Sequence, residues 1–278
     1  MSQEKKVAGK NVLITGGASG LGAAYAEAFL NFGAENIAIL DIDEKGGKDF
    51  AVKLNERYKN KASFFICDIS KEEEIKDSFK QVLSAFKRID VIINNAGILD
   101  DSINAWRTAC DINWQGVVSF TRKGIDHMRK DDGGKGGTII NVSSTTALIK
   151  LNIVPVYSGC KSAVLHFDRC ISTPNFYNST GVRILTMCLG PTTTTMVNDI
   201  GKKVIDKKYT NFKTAMNTHF YQSVESAVNA FLKMFDEGNP GSVWMSDYNQ
   251  PGRDITSILD EANKLLVKKL FPHDITLL

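Results

Sequence analysis

Six short apolar runs, separated by longer amphipathic stretches, constrain this chain more than any other feature. They are "NVLIT" (11–15), "NIAIL" (36–40), "ASFFIC" (62–67), "DVIIN" (90–94), "TIINVS" (138–143) and "VRILTMCL" (182–189). Short continuous apolar runs of this kind read as strands buried on both faces. Helix-like segments fall between and after them, at about 20–32, 44–58, 71–87, 103–130 and 154–173. Alternation of strand and helix at this spacing predicts a parallel sheet with helices on both sides. "TGGASG", "DEKGG", "DDGGKGG" and "STPN" punctuate the loops. The pattern lapses in the polar stretch 192–222, and "SVWMS" (242–246) is expected to close the sheet.

The 278 residues, 43% of them hydrophobic, suffice for one large domain with a full core or for two small ones. No linker or repeat divides them. A net charge of +3, with both signs spread along the chain, gives no argument for a nucleic-acid partner. The start, "MSQEKKVAGK", lacks a signal peptide's apolar core, and no run is long and apolar enough to span a bilayer. The five cysteines and four histidines are scattered, without ligand spacing. The cysteines read as small core residues of a reducing, cytoplasmic compartment, and no metal site is expected.

"NVLITGGASGLG" places a glycine-rich turn between the first strand and the first helix. Gly16, Gly20 and Gly22 let the backbone turn tightly and approach a pyrophosphate, with the helix N-terminus facing it. Asp41 ends the second strand, 41 − 22 = 19 residues beyond Gly22. A carboxylate there accepts from both ribose hydroxyls and repels a 2′-phosphate, so NAD is expected over NADP. Neither Ala18 nor Ser19 is basic, so no partner for that phosphate is visible. The competing reading of Asp41 is a cap for the next helix. Asp68, in "CDIS", can reach an adenine amino group or simply make a turn. "NNAG" (94–97) brings amides and a close-approach glycine to the carboxyl edge of the sheet.

"VPVYSGCKSAVLHF" carries Tyr157 and Lys161 one turn apart on one helix face. Cys160, Ala163, Val164, Phe167 and Ile171 form the apolar stripe opposite. A free phenol titrates near pH 10, and a neighbouring ammonium is expected to lower that and favour phenolate. Such a phenol takes or returns a proton near neutrality. Ser144 lies 157 − 144 = 13 residues before Tyr157, at the end of the fifth strand, where its hydroxyl can share a substrate oxygen. Ser143 should point the other way. Asn113, in "DINWQG", is a candidate to hold a water behind Lys161.

Together, "TGGASGLG", Asp68, "NNAG", Asn113, Ser144 and "YSGCK" resemble the short-chain dehydrogenase/reductase family over about residues 7–250, in its order and spacing. "GGKGGTIINVSS" and "IVPVYSGCKSAVLHF" look most like its branch of insect alcohol dehydrogenases and 15-hydroxyprostaglandin dehydrogenases. The resemblance implies a single Rossmann-type, doubly wound α/β domain with a seven-stranded parallel sheet, followed by a tail at 251–278. It implies Asn113, Ser144, Tyr157 and Lys161 as the catalytic tetrad, with Lys161 also holding the nicotinamide ribose. It adds Ser19, Leu21, Ile69, Asn95, Ala96, Gly97, Gly190, Thr192 and Thr194 to the cofactor site. In "CLGPTTTTM", Leu189 stands where the family usually has proline, and Thr194 is the expected carboxamide contact. The family's substrates are alcohols and carbonyls; those of this branch are secondary, terpenoid and prostanoid alcohols and, in the eye, retinoids. It usually dimerises through two long helices, here about 103–130 and 154–173.

Leu148, Ile149, Ile153, Val154 and Pro155, with Leu189 and the 192–222 segment, form the expected wall of an apolar substrate pocket. Ile255, Ile258, Leu259, Ala262, Leu265, Leu266 and Leu270 fall on one helical stripe, expected to dock on protein or cover the pocket. An NADP-dependent carbonyl reductase and a non-catalytic binding protein on the same fold are the competing readings.

Overall fold

The computed structural model describes residues 6–197, 200–206, 208 and 221–271. Its strands are β1 (Asn11–Thr15), β2 (Asn36–Asp41), β3 (Ala62–Ile66), β4 (Val91–Asn94), β5 (Gly137–Ser144), β6 (Val182–Leu189), β7 (Val243–Ser246) and β8 (Arg253–Asp254). They form one sheet in the order β3-β2-β1-β4-β5-β6-β7-β8. The order reverses direction beside β1, between β1 and β4, which is where ligands of doubly wound sheets sit.

The seven expected strands are parallel neighbours, but the sheet has eight. After β7 the chain turns through Tyr248 and Asn249, both at positive φ, and Arg253–Asp254 returns antiparallel against Trp244 and Met245. Two residues at a sheet edge have no periodicity for sequence reading to detect.

Helices α1 (Gly20–Asn31), α2 (Glu44–Tyr58) and α3 (Glu72–Phe86) follow the first three strands. The single helix expected at 103–130 is instead α4 (Trp106–Cys110), a π-helical stretch at Asp111–Gly116, and α5 (Val117–Met128). Gly116 has no room for a side chain there, since an added Cβ would lie 2.7 Å from the Ile69 carbonyl oxygen. Helix α6 (Pro155–Ile171) starts with proline in its first turn. Beyond it, "STPN" opens a further helix, α7 (Pro174–Thr180), capped by the Thr173 hydroxyl. Then come α8 (Val224–Glu237) and α9 (Thr256–Leu270).

Both sheet faces are apolar because alternate strand residues point to opposite sides. Val12 and Ile14 pack with Tyr25 and Phe29 of α1 and Phe231 of α8. The Tyr25 and Phe231 rings stack with centroids 4.0 Å apart. Leu13 and Ile92 pack with Phe79 of α3 and Phe120 of α5 on the other side.

Helix α9 departs from expectation. Ile255, just before it, is buried and Leu259 packs beside it, but Ile258, Leu265, Leu266 and Leu270 are 58–66% exposed. No α9 residue lines the large cavity described below. Among the described residues the stripe therefore neither docks along its length nor covers the cavity. Residues 272–278, the rest of the expected tail, and 198–199, 207 and 209–220 of the expected pocket segment lie outside the described residues. No helix among the described residues is long and apolar enough to cross a membrane.

Candidate active site

The carboxyl ends of β1, β2, β4, β5 and β6 open on one cavity of about 610 Å³. Gly16, Ser19, Gly20, Leu21, Asp41, Asp68 and Ile69 line one end. Ser144, Tyr157 and Lys161 line the other, and Asn95, Ala96, Gly97, Gly190, Thr192 and Thr194 lie along it. Gly22 and Asn113 do not reach it.

The glycine end is shaped by side chains that would not fit. Gly16 has φ +62°, and an added Cβ would meet the Ala96 Cα at 2.8 Å. At Gly22 an added Cβ would lie 2.0 Å from the Gly16 carbonyl oxygen. Asn95 ties the turn down, its amide donating to the Thr15 and Gly16 carbonyls at 3.1 Å each. Thr15 Oγ1 in turn accepts from the Asn95 and Ala96 amides at 3.1 Å each.

Asp41 accepts from the Ala18 amide at 3.0 Å and from the Asp43 amide at 3.1 Å, one through each carboxylate oxygen. The helix cap that competed for Asp41 is made by Asp43, which accepts from Gly46 at 3.0 Å. Asp41 thus fixes the glycine turn and still lines the cavity. Asp68 makes the expected turn, accepting from the Ser70 amide at 3.0 Å and hydroxyl at 2.7 Å, and also borders the cavity. Burial raises its pKa, but the Ser70 hydrogen bonds and Lys71 together outweigh this and leave it lowered.

At the chemical end, successive residues of β5 do different work. The Ser143 hydroxyl donates to the Lys161 carbonyl at 2.8 Å and so fastens α6 to the sheet. Ser144 lines the cavity, and its hydroxyl accepts from the Thr146 amide at 3.2 Å. Lys161 Nζ donates to the Val142 carbonyl at 2.9 Å and sits 5.7 Å from the Tyr157 ring centre. Gly97 leaves the space for this, because an added Cβ would stand 2.8 Å from Asn113 Oδ1 and 3.5 Å from Lys161 Nζ.

Burial governs the charges. It pushes Tyr157 up to about 12, with the Ser144 hydroxyl pulling the other way, and it pulls Lys161 down to about 8. The lowering of the phenol expected from Lys161 is not found; burial sets the direction for both groups. Asn113 is fully buried, and both ends of its amide are engaged by Ile98, donating at 2.7 Å and accepting at 3.0 Å. Its side chain sets the loop after β4. The π-helical stretch on which it lies is a device often found at functional sites.

Two residues escaped sequence reading. Asp101 accepts from the Val156 amide at 2.6 Å and the Tyr157 amide at 2.9 Å, capping α6 from 55 and 56 residues away. Burial raises its pKa, against the pull of those two amides. Its own amide donates to the Lys203 carbonyl at 2.8 Å. Gln222 is fully buried and joins the loop after β6 to β7, through Thr192 Oγ1 at 3.1 Å and the Ser246 carbonyl at 3.0 Å. Only "D" in "ILDDS" and "Q" in "YQS" mark them in the sequence, and neither spacing is informative.

The cavity wall differs in part from expectation. Val154 and Leu189 line it, joined by Leu99, Leu151, Met196, Val197 and Tyr221. Leu148 packs instead with Val243 and Ile255, Ile153 is buried beside Val204, Ile149 is exposed, and Pro155 faces solvent in the first turn of α6. Leu189 completes the ladder, paired with Ser144 on one side and Ser246 on the other. Among the described residues no cluster of metal-ligating side chains occurs.

Comparison with known proteins agrees with this geometry. The profile of the short chain dehydrogenase family matches residues 10–205. The human 15-hydroxyprostaglandin dehydrogenase [NAD(+)] (Homo sapiens) is 34% identical over 208 residues, 74% of this chain and 77% of that one. Alcohol dehydrogenase 2 of Ceratitis capitata is 34% identical over 260 residues, 88% of this chain and 98% of that one. Among solved structures, levodione reductase superposes with a TM-score of 0.75 at 23% identity, covering 88% of this chain and 99% of that one. A 3-ketoacyl-(acyl-carrier-protein) reductase from Brucella melitensis, complexed with NADH, gives a TM-score of 0.74 at 23% identity, covering 87% and 98%. On the family match and the identity to these dehydrogenases, the chain belongs to the short chain dehydrogenase family of oxidoreductases.

Proposed function

We propose that the protein is an NAD-dependent alcohol dehydrogenase acting on a lipophilic alcohol. One observation carries this reading: a single cavity is lined at one end by Gly16, Gly20 and Asp41 and at the other by Ser144, Tyr157 and Lys161. The glycine turn and Asp41 fit a dinucleotide with a free ribose 2′-hydroxyl. The likeness to 15-hydroxyprostaglandin dehydrogenases [NAD(+)] supports the same choice. Asp68 and Ile69 suit the adenine, Asn95, Ala96 and Gly97 the central backbone, and Gly190, Thr192 and Thr194 the nicotinamide end. Leu99, Leu151, Val154, Leu189 and Met196 give the apolar wall for the substrate.

The bound dinucleotide supplies the hydride acceptor and, when oxidised, a positive charge that favours the phenolate. Tyr157 takes the alcohol's hydroxyl proton at its phenolic oxygen. Ser144 holds the substrate oxygen and donates to it as the carbonyl forms. Lys161, its ammonium next to the ring, favours the phenolate and holds ribose hydroxyls with the N–H groups not given to Val142. Asn113 acts at one remove, fixing Ile98 and the loop beside Lys161. The homodimer expected from the family belongs to the same reading.

The test is turnover of purified protein with NAD and with NADP against retinol, farnesol, a 15-hydroxy prostanoid and short secondary alcohols. The expected result is formation of reduced cofactor from a lipophilic alcohol, at least about tenfold faster with NAD. Reduction of carbonyls with NADPH alone would favour the carbonyl reductase, and binding of NAD without any turnover would favour the binding protein.

A further inference from the structure

Two cysteines meet beside the catalytic groups. Cys160 lies on α6 between Tyr157 and Lys161, and Cys110 ends α4, three residues before Asn113. The Cys160 thiol donates to the Cys110 sulfur at 3.7 Å. Cys160 is buried and Cys110 half-buried. The proton-transfer chemistry above uses neither. The remaining cysteines have no such neighbour: Cys67 accepts from Ser78, Cys188 is buried in β6, and Cys170 is exposed.

We propose that Cys110 and Cys160 are a peroxide-sensitive modification site, closing to a reversible intramolecular disulfide that lowers dehydrogenase turnover. The effect on turnover rests on the functional reading above; the bond does not. A peroxide reaches the half-buried Cys110 first. The Cys110 sulfur attacks one peroxide oxygen, the O–O bond breaks, and hydroxide leaves with the thiol proton as water, giving a sulfenic acid. The Cys160 sulfur then attacks the Cys110 sulfur. The S–S bond forms, the S–O bond breaks, and the departing hydroxide takes the Cys160 proton as a second water. Two thiols have lost two electrons and two protons, and one peroxide has become two waters. Cys160 is the resolving partner rather than the first target. Burial pushes its thiol up to about 12, with Cys110 beside it adding to the rise.

The bond has a mechanical consequence. Sulfurs 3.7 Å apart must close to about 2.0 Å. That draws α6 toward α4 at a residue adjacent to Lys161 and one turn from Tyr157. The Lys161 ammonium and the Tyr157 backbone amide are held by Val142 and Asp101, which lie outside α4. Displacement of catalytic groups by about 1 Å can cost roughly 10²-fold in rate.

The experiment treats the full-length protein with hydrogen peroxide, alkylates free thiols, digests without reductant and reads peptide masses, with turnover measured in parallel. The expected result is a linked pair of Cys110 and Cys160 peptides, two hydrogens lighter than their sum. Turnover falls about tenfold or more as the linked peptide accumulates, and dithiothreitol reverses both. Cys110→Ser and Cys160→Ala should each keep their turnover at the same peroxide dose, while Cys170→Ser should behave as the parent. Absence of the linked peptide, a link between two subunits instead, equal inactivation of Cys110→Ser, or complete linkage without loss of turnover would each overturn the proposal. A reduced protein that oxidises no alcohol would instead sink the dehydrogenase reading and, with it, the turnover half of this one. The linked peptide would still decide the bond.

Discussion

At Gly16 and Gly22 the cavity takes its shape from side chains that are missing, whereas at Tyr157 and Lys161 it takes its shape from side chains that are held. At Gly16 and Gly22 there is no room for an added atom: a Cβ at Gly22 would stand 2.0 Å from a backbone oxygen. The chemical end has the opposite construction. Gly159, two residues from Tyr157, meets nothing within 4 Å, and the backbone and ammonium groups that place Tyr157 and Lys161 have named partners. Ser143 holds the Lys161 carbonyl, Val142 holds the Lys161 ammonium, and Asp101 holds the Tyr157 amide. A cofactor common to many substrates needs a surface of fixed shape. A proton transfer needs particular atoms in particular places. The first end should therefore fail when volume is added, and the second when a group is removed.

The largest effect should come from Tyr157→Phe. It deletes one oxygen, leaves the ring in its cavity, and removes the group that takes the proton. Turnover should fall by about 10² to 10⁴-fold, while NADH affinity, measured by fluorescence titration, stays within about twofold. Substantial residual turnover would place the proton acceptor elsewhere and break the contrast at its centre.

Gly22→Ala makes the opposite kind of change. The added methyl cannot be placed without moving the Gly16 backbone, and overpacking of this kind costs roughly 1–3 kcal/mol. Affinity for NADH should drop by about tenfold or more, with a lower melting temperature. Its companion, Gly159→Ala, puts the same methyl into open space on a helix, where alanine is favoured by about 1 kcal/mol. That variant should melt no lower than the parent and turn over normally. Equal damage from the two substitutions would show that added volume does not distinguish the ends.

These ends were legible in the sequence to different degrees, and the reason is the range of the forces involved. The glycine turn, Asp41 and the apolar strands are local: spacing along the chain fixes their place in space. The Tyr157–Lys161 pair and the alternation of Ser143 with Ser144 are also short-range consequences of helix and strand periods. Asp101 is different, because its partners are 55 and 56 residues away. Only the fold brings a loop after β4 under the first turn of α6. Gln222 and β8 are of the same kind, as is the break of one expected helix at Asp111–Gly116. The substrate wall was half legible. Apolar residues before α6 could be identified, but which of them face the cavity depends on β7 and the 200–206 segment packing against the others.

Asp101 offers a smaller and more diagnostic test. Asp101→Ala removes the acceptor of two first-turn amides of α6 and leaves the cavity lining otherwise intact. Losing a cap costs about 0.5–2 kcal/mol, and the displaced Tyr157 should lower kcat by roughly tenfold. The KM for NAD should hardly change, because Asp101 lies away from the glycine turn. Asp101→Asn keeps one acceptor oxygen and should recover much of kcat. A loss confined to KM for NAD, or no rescue by asparagine, would mean that Asp101 does not act through α6.

The smallest effect is a pH dependence at the foot of the same helix. Asp168 of α6 is fully enclosed, accepting from Asn141 Nδ2 at 2.6 Å and Thr186 Oγ1 at 2.7 Å. Asn141 also accepts from Asn94, so the chain of contacts runs from β4 through β5 to α6. Burial pushes the Asp168 carboxyl up to about 7, with the Thr186 and Asn141 hydrogen bonds pulling the other way. An unfolded aspartate titrates near 3.9. Between these values the unfolded chain releases a proton that the folded chain keeps. Stability from this group is therefore complete below about pH 4 and is lost as pH rises toward 7. Asp168→Asn cannot ionise, so the melting temperature of the variant minus that of the parent should become more positive from pH 5 to 8, by at least about 2 °C. The surface carboxylates with lowered pKa values, such as Glu72 and Asp131, slope the other way but are common to both proteins and cancel in the difference. A gap that stays flat across this range would show that Asp168 is ionised in the folded protein at all these pH values. The hydrogen bonds from Asn141 and Thr186 would then outweigh its burial, which would extend to the foot of α6 the rule that held groups, rather than excluded ones, govern the chemical end.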